Sequence, residues 1–248
     1  MVVICCRRSF LHCVFQTILK FNQTLIVKNK EELTNSNEFV KFAMEIIYSN
    51  IIENSFISEL NAEINRIPYE KSMWLFEDDN HMLFSKIRTY LTNHPTIRKY
   101  IRNDTYIVIR CVKNTDKYRQ YESHFDNYKE TFVIPLLIPQ RQPKGELMAW
   151  FSARRNPKSF IEHFFTKAFF QNRFFRFFMK KYLLNRFKLL QINPGDVASF
   201  DGFTTLHFNF PVSDERRSIL IHNEKAYSNS NLGKMIDELS RLNVKYNR

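Results

Sequence analysis

Two histidines, an aspartate and an arginine, spread in order over the C-terminal half of this chain, are the residues best suited to do chemistry. His124-Phe125-Asp126 comes first, His207 follows, and Arg216-Arg217-Ser218 stands last. Two imidazoles and one carboxylate can hold an Fe(II) ion on one face and leave the opposite coordination positions open. An arginine nine residues past the last histidine could clamp an anion beside that metal. Residues two apart in a strand share a face, so His124 and Asp126 can reach one ion from an extended segment. Each residue also has a plainer explanation. Asp126 could be a turn residue before Asn127, His124 and His207 satisfied polar side chains at a core rim, and Arg216 a solvated surface group. Order and spacing together carry the case for chemistry.

Strands must position such a set, and the sequence supplies them. Residues 106–112, 131–138 and 146–151 are short, rich in β-branched and aromatic residues, and bounded by polar residues or proline. After an interruption at 157–187 come 188–192, 197–200, 204–210 and 218–222, with Asn193-Pro194-Gly195-Asp196 as a strand-to-strand turn. Many short strands separated by turns predict a sandwich or jelly roll. The first hundred residues read as helical, over 35–50, 51–67 and 80–100, with Pro95 as a break and Asp78-Asp79 in a solvated loop. A last helix is expected over 229–242. The organisation is one domain over 1–248: a mainly helical part to 103, a jelly-roll core over 104–225 with a helical insert at 157–187, and a C-terminal helix in 226–248.

Composition narrows the classes. The 248 residues are 44% hydrophobic and 25% charged, a globular balance. With only four glycines there is no glycine-rich phosphate loop, which removes the main support for nucleotide binding. The net charge of +12 favours polyanionic partners without choosing among nucleic acid, an anionic membrane surface and an anionic substrate. No base-stacking or helix-in-groove module accompanies it, so nucleic acid is not the expected partner. Cys5, Cys6, Cys13 and Cys111 form no zinc or C-x-x-C spacing and are expected as free thiols in a reducing, cytoplasmic setting. The Cys5-Cys6 pair is compatible with acylation but reads more simply as incidental. Neither a secretory signal nor an apolar run of membrane-spanning length is evident.

The segment 118–224 resembles the core of the 2-oxoglutarate/Fe(II)-dependent oxygenase superfamily, of the phytanoyl-CoA- and prolyl-hydroxylase-like kind. The matching pieces are His124-x-Asp126, Pro194-Gly195-Asp196 before a strand, His207, and Arg216-x-Ser218. The resemblance implies a double-stranded β-helix (jelly roll, cupin-like) fold, mostly β with added helices. It implies His124, Asp126 and His207 as iron ligands. Arg216 with Ser218 would hold the far carboxylate of 2-oxoglutarate, and Arg217 is the second choice because a regular strand turns it the other way. Thr131 and Tyr121 are further candidates to line that pocket. The implied cofactors are Fe(II), 2-oxoglutarate and O2, with ascorbate as an optional accessory. The implied reaction is oxidative decarboxylation coupled to hydroxylation of a substrate C–H bond. His222-x-Glu224 repeats the metal-binding spacing, but no histidine follows it, so His222 reads as a strand-end residue near the surface.

The insert points to the substrate class. Residues 163–188 contain nine phenylalanines, seven lysines or arginines and no acid, with Arg173, Arg176 and Lys180 along one helical face. Either the segment caps the barrel and turns its cations to water, or it docks on an anionic membrane or grips a lipid-linked or acidic substrate. The expected substrate is accordingly small or lipid-linked and anionic. The same chemistry on protein or nucleic acid, and a non-catalytic peripheral membrane or interaction protein on a jelly-roll scaffold, are the competing classes.

Overall fold

The computed structural model describes residues 46–77, 80–114 and 121–225. Among them are nine strands: β1 (Ile46–Tyr48), β2 (Met73–Phe76), β3 (Tyr106–Lys113), β4 (Tyr128–Leu137), β5 (Leu147–Trp150), β6 (Lys188–Leu190), β7 (Val197–Asp201), β8 (Leu206–Asn209) and β9 (Glu215–Lys225). They form two antiparallel sheets, one ordered β1-β7-β4-β9-β3-β2 and the other β6-β5-β8. The sheets pack face to face through Val133, Leu147, Ala149, Leu190, Ala198 and Phe200, giving a jelly-roll core.

Period-two alternation decides which residues see the helices and which see the space between the sheets. On the larger sheet Ile107, Ile109, Phe132, Ile134, Ile219 and Ile221 face α1 (Asn54–Asn65) and α2 (His81–Asn93). Those helices answer with Phe56, Ile57, Leu60 and Ile64, and with Leu83, Phe84, Ile87 and Leu91, at helical spacing. Each such fully buried side chain contributes about 1.5–3 kcal/mol. The Asn80 side chain accepts from the Leu83 amide and starts α2, and Pro95 holds the preceding His94 in an extended conformation and ends it. The alternate residues Arg110 and Val112, Thr131 and Val133, and Arg216, Ser218, Leu220 and His222 line the inter-sheet cavity.

The described residues before 104 are less helical than the sequence predicts. Within the expected 35–50 helix, Ile46–Tyr48 is a strand paired with β7, Ser49 and Asn50 form a turn, and 35–45 lie outside the described residues. Met73–Phe76 is also a strand, paired with β3 so that Trp74 lies opposite Arg110. These are the two edges of the larger sheet, three and four residues long, and segments that short carry too little alternation to announce themselves. The Asp78-Asp79 loop, the 229–242 helix and Cys5, Cys6 and Cys13 lie outside the described residues; Cys111 is buried.

The insert is helical but broken. It forms α3 (Phe160–Gln171), α4 (Arg173–Phe178), a π turn at Met179–Leu183 and a 3-10 turn at Leu184–Arg186. Asn172 adopts an extended backbone and accepts the Phe174 amide with its side chain, which separates α3 from α4; Arg173 and Arg176 fall in α4 and Lys180 in the π turn that follows. Phe170, Phe175 and Met179 pack on Phe125, Leu206 and Phe208 beside β8. No helix among the described residues is long and apolar enough to cross a membrane.

Candidate metal centre

Main-chain pairing brings the first and second histidines together. The His124 amide donates to the His207 carbonyl at 2.9 Å and the His207 amide donates back at 3.1 Å, so the segment carrying His124 extends the smaller sheet at β8. The His124 and His207 rings lie 4.3 Å apart between centroids. Asp126 Oδ1 sits 3.7 Å from His124 Nε2 and 3.6 Å from His207 Nε2. One ligand atom from each residue falls within 4.8 Å of the other two.

Hydrogen bonds fix what these atoms present. His124 Nδ1 contacts the Glu122 carbonyl at 2.9 Å and His207 Nδ1 the Thr205 carbonyl at 3.3 Å. A carbonyl only accepts, so both Nδ1 atoms carry the proton and both Nε2 lone pairs point toward Asp126. Burial, reinforced by His207, pushes His124 down to about 3 and keeps that ring neutral. Burial would raise Asp126, but the imidazoles of His207, His222 and His124 and the Thr131 hydroxyl outweigh it and hold the carboxyl below its usual range. The Nε2 atoms of His124 and His207 and a carboxylate oxygen of Asp126 thus converge on one point. Three acceptors facing one point are mutually unfavourable unless a cation sits among them, and this donor set suits a non-heme divalent metal.

A second set of side chains aims the carboxylate. Thr131 Oγ1 donates to Asp126 Oδ2 at 2.6 Å, which uses its only hydrogen. His222 Nδ1, 3.2 Å from the same hydroxyl, must therefore be the donor. The His222-to-Thr131-to-Asp126 chain occupies Oδ2 and leaves Oδ1 for a metal, with the Tyr128 ring stacked on His222 at 4.6 Å. Gly202 takes the Asp126 amide on its carbonyl at 2.9 Å. A side chain at Gly202 would stand 2.8 Å from Asp126 Cβ and 2.4 Å from the Tyr128 carbonyl, so only glycine fits. Thr131→Val keeps the β-branched shape and removes the donor. It should weaken metal affinity about 10-fold in an anaerobic titration, and an unchanged affinity would deny the hydroxyl any part in aiming Asp126.

The cavity of about 80 Å³ runs from this triad along β9, whose cavity-facing residues pass from His222 through Leu220 and Ser218 to Arg216. Arg216 is buried and donates to the Gly145 carbonyl. Burial, with Arg110 adding like charge, pushes it down to about 10, within the range where it stays a cation at neutral pH. Arg110 crosses from β3, opposite Ser218 in the sheet, donates to Asn209 Oδ1 at 3.2 Å and lies 5.0 Å over the Trp74 ring. Two guanidiniums facing one closed space favour an anion there.

Arg217 and Tyr121 are elsewhere. Arg217, one residue out of phase, turns to the helical layer and meets Glu215, the Asn61 carbonyl at 3.1 Å and Asn65 Oδ1 at 2.6 Å. Tyr121 adopts a left-handed backbone and sits among Phe208, Phe210 and the Lys180 ammonium, off the cavity wall. His222 is also displaced from its expected place: it is only 7% exposed, on the cavity wall rather than near the surface. Its parity with Arg216 was the available signal. Trp74, Arg110, Asn209 and Gly202 carried no motif, although Arg110 alternates with Val108 and Val112 in its strand.

The insert is tied to the centre through Asn127. Its side-chain oxygen accepts Lys167 Nζ at 2.8 Å and His163 Nε2 at 3.1 Å, and Arg154 Nη2 lies 2.8 Å from His163 Nδ1. Burial, with Arg154 and Lys167 adding repulsion, pushes His163 down to about 3, consistent with that neutral bridging tautomer.

No protein-family model and no curated protein matches the chain in sequence. Among solved structures, HygX from Streptomyces hygroscopicus with nickel and 2-oxoglutarate bound gives a TM-score of 0.50 at 7% identity, covering 77% of this chain and 85% of that one. The iron-bound form of HygX gives 0.50 at 6% identity, covering 73% and 82%. A Pseudomonas putida prolyl-4-hydroxylase covers 79% of this chain and 97% of its own, at 11% identity and a TM-score of 0.40. At these identities the likeness to HygX shows the fold alone: the jelly roll found in 2-oxoglutarate/Fe(II)-dependent oxygenases.

Proposed function

We propose that this chain is a 2-oxoglutarate- and Fe(II)-dependent oxygenase that hydroxylates a small or lipid-linked, anionic substrate. One observation carries the proposal: three acceptor atoms of His124, Asp126 and His207 within 4.8 Å of one another open onto a cavity whose wall also carries buried Arg216 and Ser218. Bound together there, Fe(II) and the 2-oxo acid would activate O2, releasing succinate and carbon dioxide as the substrate is oxidised.

The remaining tasks fall to the chain. The two Nε2 atoms and Asp126 Oδ1 would hold the metal, with the outer atoms of these side chains fixed by Glu122, Thr205 and Thr131. Arg216 forks the far carboxylate of the co-substrate, and Ser218, two residues along the same face, adds a hydroxyl. Val133, Leu147, Phe200 and Leu220 line the cavity between the charged groups and exclude water from the reacting centre. Support for an anionic substrate comes from the net charge of +12 and from the Lys167 ammonium held beside the residue that follows Asp126.

The test is succinate release by metal-loaded protein against substrates grouped by class: acyl thioesters, phosphorylated lipids, lipid-linked acidic sugars, peptides and nucleic acids. Iron-dependent succinate above the substrate-free rate is expected with an anionic small or lipid-linked class. A response confined to peptides or nucleic acids would move the same chemistry to a macromolecule, and no response anywhere would overturn the proposal.

A further inference from the structure

The helical insert is built inside out for a helix that meets water. Along α3 the buried side carries His163, which is 3% exposed, and Lys167, which reaches in to Asn127. The outward side carries Ile161, Phe164 and Phe165, spaced three and four apart on one face. Phe165 is 68% exposed, and the pattern continues in α4, where Phe177 is 67% exposed. An amphipathic helix facing solvent places these residues the other way round. Aromatic exposure on this scale marks a surface that meets something less polar than water.

We infer that the outer face of α3 and α4, with the turns that follow, lies on an anionic lipid surface. Charge selects that occupant. The turns that follow α4 carry the exposed cations Lys181 and Arg186, and residues 163–188 contain no acid. Two copies meeting face to face would oppose these like charges. A bilayer with anionic headgroups offers phosphates to the cations and acyl chains to the rings. At 12 residues α3 is too short to span a bilayer, so it lies in the interfacial plane. This surface is outside the metal-binding cavity, and the inference does not depend on the proposed reaction.

Co-sedimentation of the full chain with phosphatidylcholine vesicles, with and without phosphatidylserine, tests it. Binding should require phosphatidylserine and weaken with salt. Replacing Lys181 and Arg186 by Gln should reduce it roughly 30-fold, given the usual contribution of a cation near an anionic membrane. Phe165→Ser with Phe177→Ser should remove the part of the binding that survives high salt. All four side chains are exposed, so thermal midpoint and metal affinity should stay unchanged and serve as folding controls. Failure of the unaltered chain to bind phosphatidylserine vesicles would overturn the inference. So would binding undiminished in both variants, or aromatic replacements that change only the solution mass by abolishing self-association.

Discussion

Asp126→Ala is expected to leave a folded protein that no longer retains Fe(II). Asp126 contributes the only carboxylate of the three; His124 and His207 contribute imidazole nitrogens. Changes to the surroundings of a metal ligand alone cost 10- to 100-fold in affinity, so loss of the ligand itself should cost more than about 100-fold. The apo fold should tolerate the change, because it removes one of three acceptors crowded at a single point. A metal present at about 100 times its Kd adds about 2.7 kcal/mol to native stability. Metal should therefore raise the thermal midpoint of the parent chain and leave that of the variant unmoved. A variant that still gains stability from stoichiometric Fe(II) would mean that the metal sits elsewhere.

Arg216→Ala and Arg217→Ala should separate binding from folding. Arg216 faces the cavity, and removing the partner of a buried carboxylate typically costs about 2–5 kcal/mol, so the 2-oxoglutarate requirement should rise roughly 100-fold. Arg217 is held by Glu215, Asn61 and Asn65 in the helical layer, away from the cavity. Its loss leaves Glu215 with the Tyr69 hydroxyl as a remaining partner and should destabilise the fold by about 2–3 kcal/mol, with the co-substrate requirement unchanged. Co-substrate titration and chemical denaturation of both variants check the pair. Exchange of the two phenotypes would place the working register of β9 one residue away.

These adjacent arginines show what the sequence could convey. Strands β3, β4, β7 and β9 are long enough, or sharply enough bounded, for alternation to reveal them, and alternation also separates Arg216 from Arg217. The order His124, Asp126, His207, Arg216 was visible because it uses rare residue types at defined intervals. Arg110 and His222 were obscured because a polar residue at an alternate position in a strand normally faces solvent, whereas here that face is the inner wall of a cavity between two sheets. Gly202 was silent because its role depends on the approach of Asp126 and Tyr128, which are distant in sequence. The edge strands β1 and β2 depend on their partners β7 and β3 more than on their own pattern. In the insert, helical periodicity was legible but not its direction; the inward turn of His163 and Lys167 depends on Asn127 and Arg154.

The central claim is that one metal and one 2-oxo acid share the cavity between His124, Asp126, His207 and Arg216. Anaerobic addition of 2-oxoglutarate to Fe(II)-loaded protein, followed in the visible spectrum, examines both parts at once. A metal-to-ligand charge-transfer band saturating at one equivalent, lost in Asp126→Ala and shifted to much higher 2-oxoglutarate in Arg216→Ala, is the predicted result. A folded, iron-loaded protein with no such band at any concentration would contradict the account.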